Sequence, residues 1–474
     1  MKINRFMIAA PKSGSGKTMI TCALLQLLKD NGKNVSSYKC GPDYIDPMFH
    51  KKVLGVPSKN LDTFFTDEKT TVQLFLDERA DGDFAVLEGV MGLYDGLGGI
   101  YEQGSSYHLA KVTQTPIILV VDAKGMGKSV LALIAGFLQY DTQHLIKGVL
   151  LNRMSKGYYD IIKPLIEKKL SVKVVGYFPE QKDIGLSSRY LGLVMPDELS
   201  DIKKQLNETA DRLKKTIDMD LLKDIAAEAD EIGDSENADV YNEKSIGNCD
   251  QNEFSQNKAI NTGNIAVAMD EAFCFYYEDN LRLLEKCGSK LQYFSPLHDT
   301  ELPDNCDALL LGGGYPELYA KELSENISMR KSIKTAFEAG LPTVAECGGF
   351  MYLHTYIHNQ NCVFDMAGVL DGWCHFKGKL VRFGYIELEE KNSNFLPSDE
   401  KIRAHEFHYY DSTDNGTDCI ATKPATGRKY DCVISRDNYW LGFPHIYYPS
   451  NPHFAENFVK KAQEYERNKN GKLL

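Results

Sequence analysis

Two short stretches of this chain carry residue types that could do chemistry. Ser13-Gly14-Ser15-Gly16-Lys17-Thr18 has the makings of a loop that holds a nucleoside triphosphate, and Ala345-Glu346-Cys347-Gly348-Gly349 has those of a turn that exposes a nucleophilic thiol. Either alone leaves many reactions open. Together they suggest that one half makes a reactive small molecule and the other spends ATP to use it.

The first stretch follows an apolar run and opens a helical pattern, which is the setting a phosphate-binding loop requires. Glycines let the backbone wrap closely, so that the N–H groups and the helix dipole hold phosphate, Lys17 reaches the β- and γ-phosphates and Thr18 meets Mg²⁺. ATP contacts are therefore expected from Lys12, Ser13, Gly14, Ser15, Gly16, Lys17 and Thr18. The usual pattern has Gly six residues before the lysine; Pro11 stands there, and Lys12 matches the extra lysine of a variant class of P-loop proteins. Ligands of open α/β sheets collect at the C-terminal ends of the strands. Glu88, ending Phe84–Glu88, is placed to hold the metal with Thr18, and Asp95 follows a few residues on. Lys39, Asp43, Tyr44 and Asp46 occupy a turn after the second strand and face the same edge, as metal (Asp46) or substrate contacts. Asn152, after another strand, is placed to read the adenine edge through its amide.

In the second stretch, Thr343-Val344 leads into the small residues around Cys347, and a helical register follows. Strand, sharp turn and helix make a nucleophile elbow with Cys in place of Ser. The helix N-terminus is expected to lower the thiol pKa. The N–H of Gly348 is one oxyanion donor, and Gly313 or Gly314 in Gly312–Glu317 is the other. The base has to be a distant histidine, for which His405, His408, His445 and His453 are all candidates by spacing.

The elements around these stretches read as α/β twice over. Apolar runs at Ile3–Ala9, Val35–Tyr38, Phe84–Leu87, Pro116–Val121, Gly148–Leu151 and Val172–Phe178 alternate with helical patterns such as Met19–Leu28 and Tyr159–Leu170, which implies a doubly wound parallel sheet. A charged helical pattern from about Ser200 to Ile232 closes a first domain, residues 1–232. Residues 233–264 are polar and poor in apolar side chains, too little to offset ordering entropy, and are expected to be an exposed linker. Residues 265–474 start again with Ile265–Met269, a helical pattern Phe275–Cys287, then Leu291–Phe294, Ala308–Leu311 and Pro342–Val344. They turn strand-like and aromatic after Gly368 and end in a helical pattern from Pro452 to about Arg467.

Composition removes several classes of function. A net charge of −12 over 474 residues lacks the basic footprint of nucleic-acid binding, and an anionic substrate would have to be met by local cations. Eleven scattered cysteines without paired C-x-x-C spacing fit free thiols in a reducing cytoplasm rather than disulfides or zinc. The N-terminus is not a credible signal peptide, and no stretch approaches the roughly 18 apolar residues of a membrane span.

Taken in order, Ser13–Thr18, Lys39–Pro47, Leu87–Gly96, Arg189–Leu193, Ala272–Tyr277, Gly313–Leu318, Ala345–Leu353 and His405–Tyr409 resemble the cobyrinic acid a,c-diamide synthases, over nearly the whole chain outside the polar stretch. That resemblance implies a dethiobiotin-synthetase-like P-loop domain joined to a class I glutaminase-like domain. It implies that Cys347 attacks the carboxamide of glutamine and that His445 is the catalytic histidine, with His408 in reserve. Many class I glutaminases carry Glu two residues after that histidine; here the position is Tyr447, which leaves the third member unassigned. Further departures are Ala404 before His405, Pro444 before His445, and Tyr190. The implied reaction phosphorylates a side-chain carboxylate of a tetrapyrrole with MgATP, and ammonia displaces the phosphate. Lys39 and Arg189 are the candidate cations for that polycarboxylate. Related readings amidate hydrogenobyrinic acid or a nickel sirohydrochlorin. More distant ones, a dethiobiotin-type carboxylase and a partition-type ATPase using Lys12 across a dimer, have no use for Cys347. The metal in the macrocycle, the order of amidation and whether the chain forms a homodimer are not written in these motifs.

Overall fold

Alternation of short apolar runs with amphipathic helices builds two parallel sheets, one in each half. The structure, a computed structural model, describes residues 2–77, 84–181, 199–232, 263–359 and 362–471. The chain divides into two compact units, Met1–Gly247 and Asn248–Leu474, and the division falls among residues 233–262, outside the described ones.

The first unit holds seven parallel strands: β1 (Arg5–Ala9), β2 (Val35–Cys40), β3 (Ser58–Leu61), β4 (Phe84–Glu88), β5 (Ile117–Asp122), β6 (Ile146–Asn152) and β7 (Lys173–Phe178), in the order β3-β2-β4-β1-β5-β6-β7. Every residue of β1, β2 and β4 is buried, as expected where helices cover both faces of a sheet. On one face Phe6, Ile8, Val86, Ile118 and Val120 meet Leu24 and Leu28 of α1 (Lys17–Asp30), together with Leu206, Leu213 and Ile225. Strand β3 escapes the apolar pattern because it is short and reads Ser58-Lys59-Asn60-Leu61. The charged stretch after residue 199 is two helices, Leu199–Lys214 and Met219–Ala227. Asp218 breaks it by capping the second, its carboxylate accepting from the Leu221 N–H at 3.0 Å, a stronger local option than helix continuation.

In the second unit β8 (Asn264–Ala268), β9 (Lys290–Phe294), β10 (Ala308–Leu311) and β11 (Thr343–Glu346) are parallel, and the sheet is extended past β11 by Tyr439–Gly442, also parallel, and antiparallel Ile434–Arg436. The aromatic stretch after Gly368 contributes to two further sheets. In the larger, Lys401–His408 lies between Arg382–Glu390 and the short strand His445–Ile446. The terminal helix runs His453–Gly471. Among the described residues no helix is long and apolar enough to cross a membrane, and all the cysteines are free.

Arg5 shows how much of the first unit hangs on one buried cation. Fully enclosed, its guanidinium donates to the carbonyls of Ile3 (2.9 Å), Thr113 (3.0 Å), Gln114 (3.1 Å) and Asp230 (2.6 Å). Burial brings its pKa down to about 10, which still leaves it charged at neutral pH. Arg5→Met should therefore destabilise the first unit by about 2–4 kcal/mol, because carbonyls bonded to a charged donor lose it inside the protein. Denaturant unfolding checks this, and a wild-type midpoint would show that water replaces the donor.

Candidate functional site

Strand pairing assembles the first site. Register sets Glu88 beside Ile8 on one side and Lys39 on the other, just below the loop that follows β1. Gly16 adopts φ +92, and a Cβ there would sit 2.3 Å from Asn152 Nδ2, so only glycine lets the loop turn into α1 at this point. Thr18 Oγ1 donates to Glu88 Oε1 at 2.6 Å, and Lys17 Nζ reaches the Met91 carbonyl at 2.5 Å. Lys12, Ser13 and Gly14 are exposed at the rim, while Ser15 is buried and its hydroxyl donates to the Lys12 carbonyl at 2.9 Å.

Lys39 is placed differently from the substrate cation expected. It is buried, ion-paired with Asp46 and 3.0 Å from Glu88 Oε1, so its charge is matched within the chain. Burial alone would lower Lys39; Asp46 and Glu88 outweigh it and hold the pKa well above the ordinary value. Burial would likewise raise Asp46, but Lys39 keeps it below the usual carboxylate range. Glu88 is pushed up to about 7 by burial and by the charge of Asp46, and Lys17 down to about 8 by burial and by Lys39. Asp43 is raised by burial and by Asp46, and its Oδ1 accepts the Ile45 N–H at 2.9 Å in the turn. Tyr44 is buried just before α2 (Ile45–Lys52). Asp95 folds back on the Gly92 N–H at 3.0 Å. Asn152, expected at adenine, braces the loop: its Nδ2 donates to the Ser15 carbonyl at 2.8 Å and its Oδ1 accepts the Arg153 N–H at 2.9 Å. Arg189 lies outside the described residues.

Two contributors here were invisible in the sequence. Asn60 of β3 donates to the carbonyls of Gly41 and Asp43, both at 2.8 Å, and so fixes the acidic turn. His50 sits with Nε2 3.6 Å from Glu88 Oε2, and burial lowers it to about 4, hence neutral. Glu88 Oε2 is buried without a hydrogen-bond partner. A free carboxylate oxygen beside a threonine hydroxyl and a second carboxylate suits a hard cation of the Mg²⁺ kind. Among the described residues no three His, Cys, Asp or Glu gather into a metal site by themselves.

The second site is a strained elbow. Cys347 follows β11 with φ 46 and ψ −102, a conformation costly for a non-glycine residue and usual for a nucleophile held at a sharp turn. Its N–H donates to the Gly442 carbonyl (2.9 Å), and the Gly349 N–H donates to the Gly312 carbonyl (2.9 Å), which locks the turn to both neighbouring segments. The Gly314 nitrogen lies 3.1 Å from where a Cβ on Gly348 would stand, so the two expected oxyanion glycines are adjacent. The glycine loop is itself fastened from behind. Cys274 and Phe275 N–H groups donate to the Gly313 carbonyl, both at 3.0 Å, and the Tyr276 hydroxyl accepts from the Gly312 N–H at 2.8 Å.

His445 is brought to this elbow by the chain leaving Gly442, which pairs with Glu346, and returning as a short strand in which His445 faces His405. His408 is stacked on Phe443, centroids 4.0 Å apart and planes 4° off parallel, with Nδ1 2.6 Å from the Tyr410 carbonyl. His453 is half exposed and bonds Glu400. The expectation of a depressed thiol pKa is not met. Burial pushes Cys347 well up, and Glu317, Glu346 and Glu406 push the same way, overriding the dipole of a helix only six residues long. Burial lowers His445 to about 3, helped by His408. Thiol and imidazole thus start neutral. Glu346, not singled out by spacing, has Oε2 3.8 Å from His445 Nδ1.

A Cβ on Gly313 would lie 2.3 Å from His445 Cε1. Gly313→Ala should therefore displace the imidazole and cut Cys347-dependent turnover by about 10² or more, the scale of a 1 Å misplacement. Reaction at the phosphate loop with free ammonia should be spared; equal loss of both would mean that Gly313 serves the fold alone.

Comparison with known proteins agrees with both halves. Residues 6–191 match the CobQ/CobB/MinD/ParA nucleotide binding domain, and residues 264–451 the CobB/CobQ-like glutamine amidotransferase domain. The cobyrinate a,c-diamide synthase of Caldanaerobacter subterraneus subsp. tengcongensis is 37% identical over 467 residues, covering 98% of this chain and 99% of that protein. Those of Listeria innocua and Picrophilus torridus are 36% and 34% identical, covering 95% and 98% of this chain and 97% and 99% of theirs. A chain so matched along nearly its whole length, with both domains present, belongs to the cobyrinate a,c-diamide synthase family.

Proposed function

We propose that this enzyme converts the a and c side-chain carboxylates of cobyrinic acid to amides, with ATP as activator and glutamine as nitrogen source. The observation that carries the reading is one chain holding both a cysteine elbow and a phosphate loop backed by buried acids, in a family of diamide synthases. The proposed arrangement is a synthetase domain over residues 1–232, a linker over 233–264 and a glutaminase domain over 265–474.

In the glutaminase half Cys347 Sγ would attack the glutamine carboxamide carbon while His445 takes the thiol proton and passes it to the departing ammonia. Because both groups begin neutral, proton transfer accompanies attack. The N–H groups of Gly348 and Gly314 stabilise the oxyanion, and water then releases glutamate from the thioester.

In the synthetase half a substrate carboxylate oxygen would attack the γ-phosphorus and ADP would leave. Ammonia then adds to the acyl carbon and phosphate departs, since an acyl phosphate is a far better acylating agent than a free carboxylate. Lys17 holds the transferring group and loosens the Met91 carbonyl to do so. Thr18, Glu88 and Asp46 are the residues that would hold Mg²⁺, whose chemistry is to neutralise charge on the β- and γ-phosphates. Asp43, Tyr44, Asp95 and Arg189 are assigned to the substrate. With Lys39 neutralised by Asp46 and Glu88, Arg189 becomes the stronger candidate for a cation facing the polycarboxylate. A cytoplasmic setting suits the free thiols.

Mass analysis of products from cobyrinic acid, hydrogenobyrinic acid and nickel sirohydrochlorin, each with ATP and glutamine, tests the substrate. A diamide from either of the latter in preference to cobyrinic acid would change it. Cys347→Ala should abolish glutamine use and leave ammonia-dependent amidation intact; loss of both in a folded variant would refute the division of labour. Lys17→Ala should cost about 10³ with either nitrogen source, the usual scale of charge stabilisation in phosphoryl transfer. His445→Asn should cut glutaminase turnover by about 10² to 10⁴, whereas His408→Asn should affect both activities or neither. The reverse pattern would move the base to His408.

A further inference from the structure

We propose that Glu346 is the positioning residue for His445, its carboxylate accepting the imidazole Nδ1–H so that Nε2 faces the thiol as a base. This rests on Cys347 and His445 being the glutaminase pair. The two side chains are buried together, Oε2 standing 3.8 Å from Nδ1. Hydrogen bonds of this kind are commonly long before substrate binds.

The position two residues after the histidine points the same way. It is Tyr447, whose hydroxyl donates to buried Asp279 at 2.6 Å, while Asn280 donates to the Ile446 carbonyl (2.7 Å) and accepts the Tyr448 N–H (2.8 Å). These bonds anchor the strand that carries His445 and supply no carboxylate to its ring. Glu346 comes from the other direction, on the strand that ends at the nucleophile. Its Oε1 is buried without a hydrogen-bond partner, so the carboxylate has accepting capacity left. The Ile446 N–H and the Tyr448 hydroxyl face the same group and favour its charged form.

Protonation then gives the device a pH signature. Burial pushes Glu346 up to about 8. The ionisable groups around it are Cys347 on the elbow, His445 and Tyr448 on the returning segment, and Tyr276 behind the glycine loop; the thiol and both tyrosines are pushed above their ordinary values and stay neutral there. Below its pKa the neutral acid accepts the Nδ1–H only weakly and gives an imidazolium no counter-charge; above it the carboxylate supplies both. Glutaminase kcat should therefore rise with pH through about 8.

Glu346→Gln should lower glutaminase kcat by about 10² or more with KM little changed, and the alkaline rise should vanish. Glu346→Asp should restore part of both, and ammonia-dependent synthesis should stay at the wild-type level. Wild-type kcat and pH profile in Glu346→Gln, beside an inactive Cys347→Ala, would overturn the proposal alone; an active Cys347→Ala would overturn the reading beneath it. Should Glu346→Gln fail to fold, Tyr448→Phe decides. Losing that hydroxyl should move the rise to higher pH, and an unmoved rise would sink the idea.

Discussion

Desolvation at the ends of two parallel sheets governs the chemistry of this molecule. A parallel sheet covered by helices buries its central strands, and polar residues at the strand ends lose water with them. What each becomes then depends on its neighbours. Lys39 remains charged because Asp46 and Glu88 flank it, and Asp46 remains charged because Lys39 does. At Cys347 and His445 burial prevails, and both stay neutral. The same force gives ions under the phosphate loop and a neutral pair at the elbow.

That contrast follows the two tasks. Phosphoryl transfer has little covalent chemistry for a protein to do and depends on fixed charge, so a charged Lys39–Asp46 pair below the loop is useful before substrate arrives. A thiol standing charged without its substrate would be exposed to oxidation and stray alkylation. Holding it neutral ties its activation to the moment when glutamine expels water and the oxyanion donors have something to bind.

Much of this was legible in the sequence, because the features concerned are local. The phosphate loop, Glu88, the elbow and the glycines around it declare themselves within a few residues by turn chemistry and by their place after a strand. Spacing says least about groups whose partners are remote. Lys39 reads as an available cation until pairing of β2 with β4 sets it against Glu88, 49 positions away. Asn152 reads as a base-edge contact until Gly16, lacking a side chain, lets its amide close on the loop at Ser15. The helix alone predicts a low thiol pKa, while the deciding influence, three-dimensional burial, has no signature in spacing. Asn60 could not have been found, since β3 lacks the apolar alternation that marks a strand.

Glu346, by contrast, carries a signal in the sequence. A carboxylate in the last position of a fully buried strand is improbable unless something uses it, since an unpaired buried charge is costly. Its strand pairs in register with the one ending at Gly442, and the chain needs only Phe443 and Pro444 to turn back to His445. Thiol, carboxyl and imidazole are therefore placed by a single backbone arrangement, Glu346 one residue before Cys347 and His445 three residues past the paired strand. Glutaminases that carry the acid two residues beyond the histidine hang it on the strand of the base. Under the proposed assignment the acid hangs on the strand of the nucleophile, and position 447 holds a tyrosine bonded to Asp279.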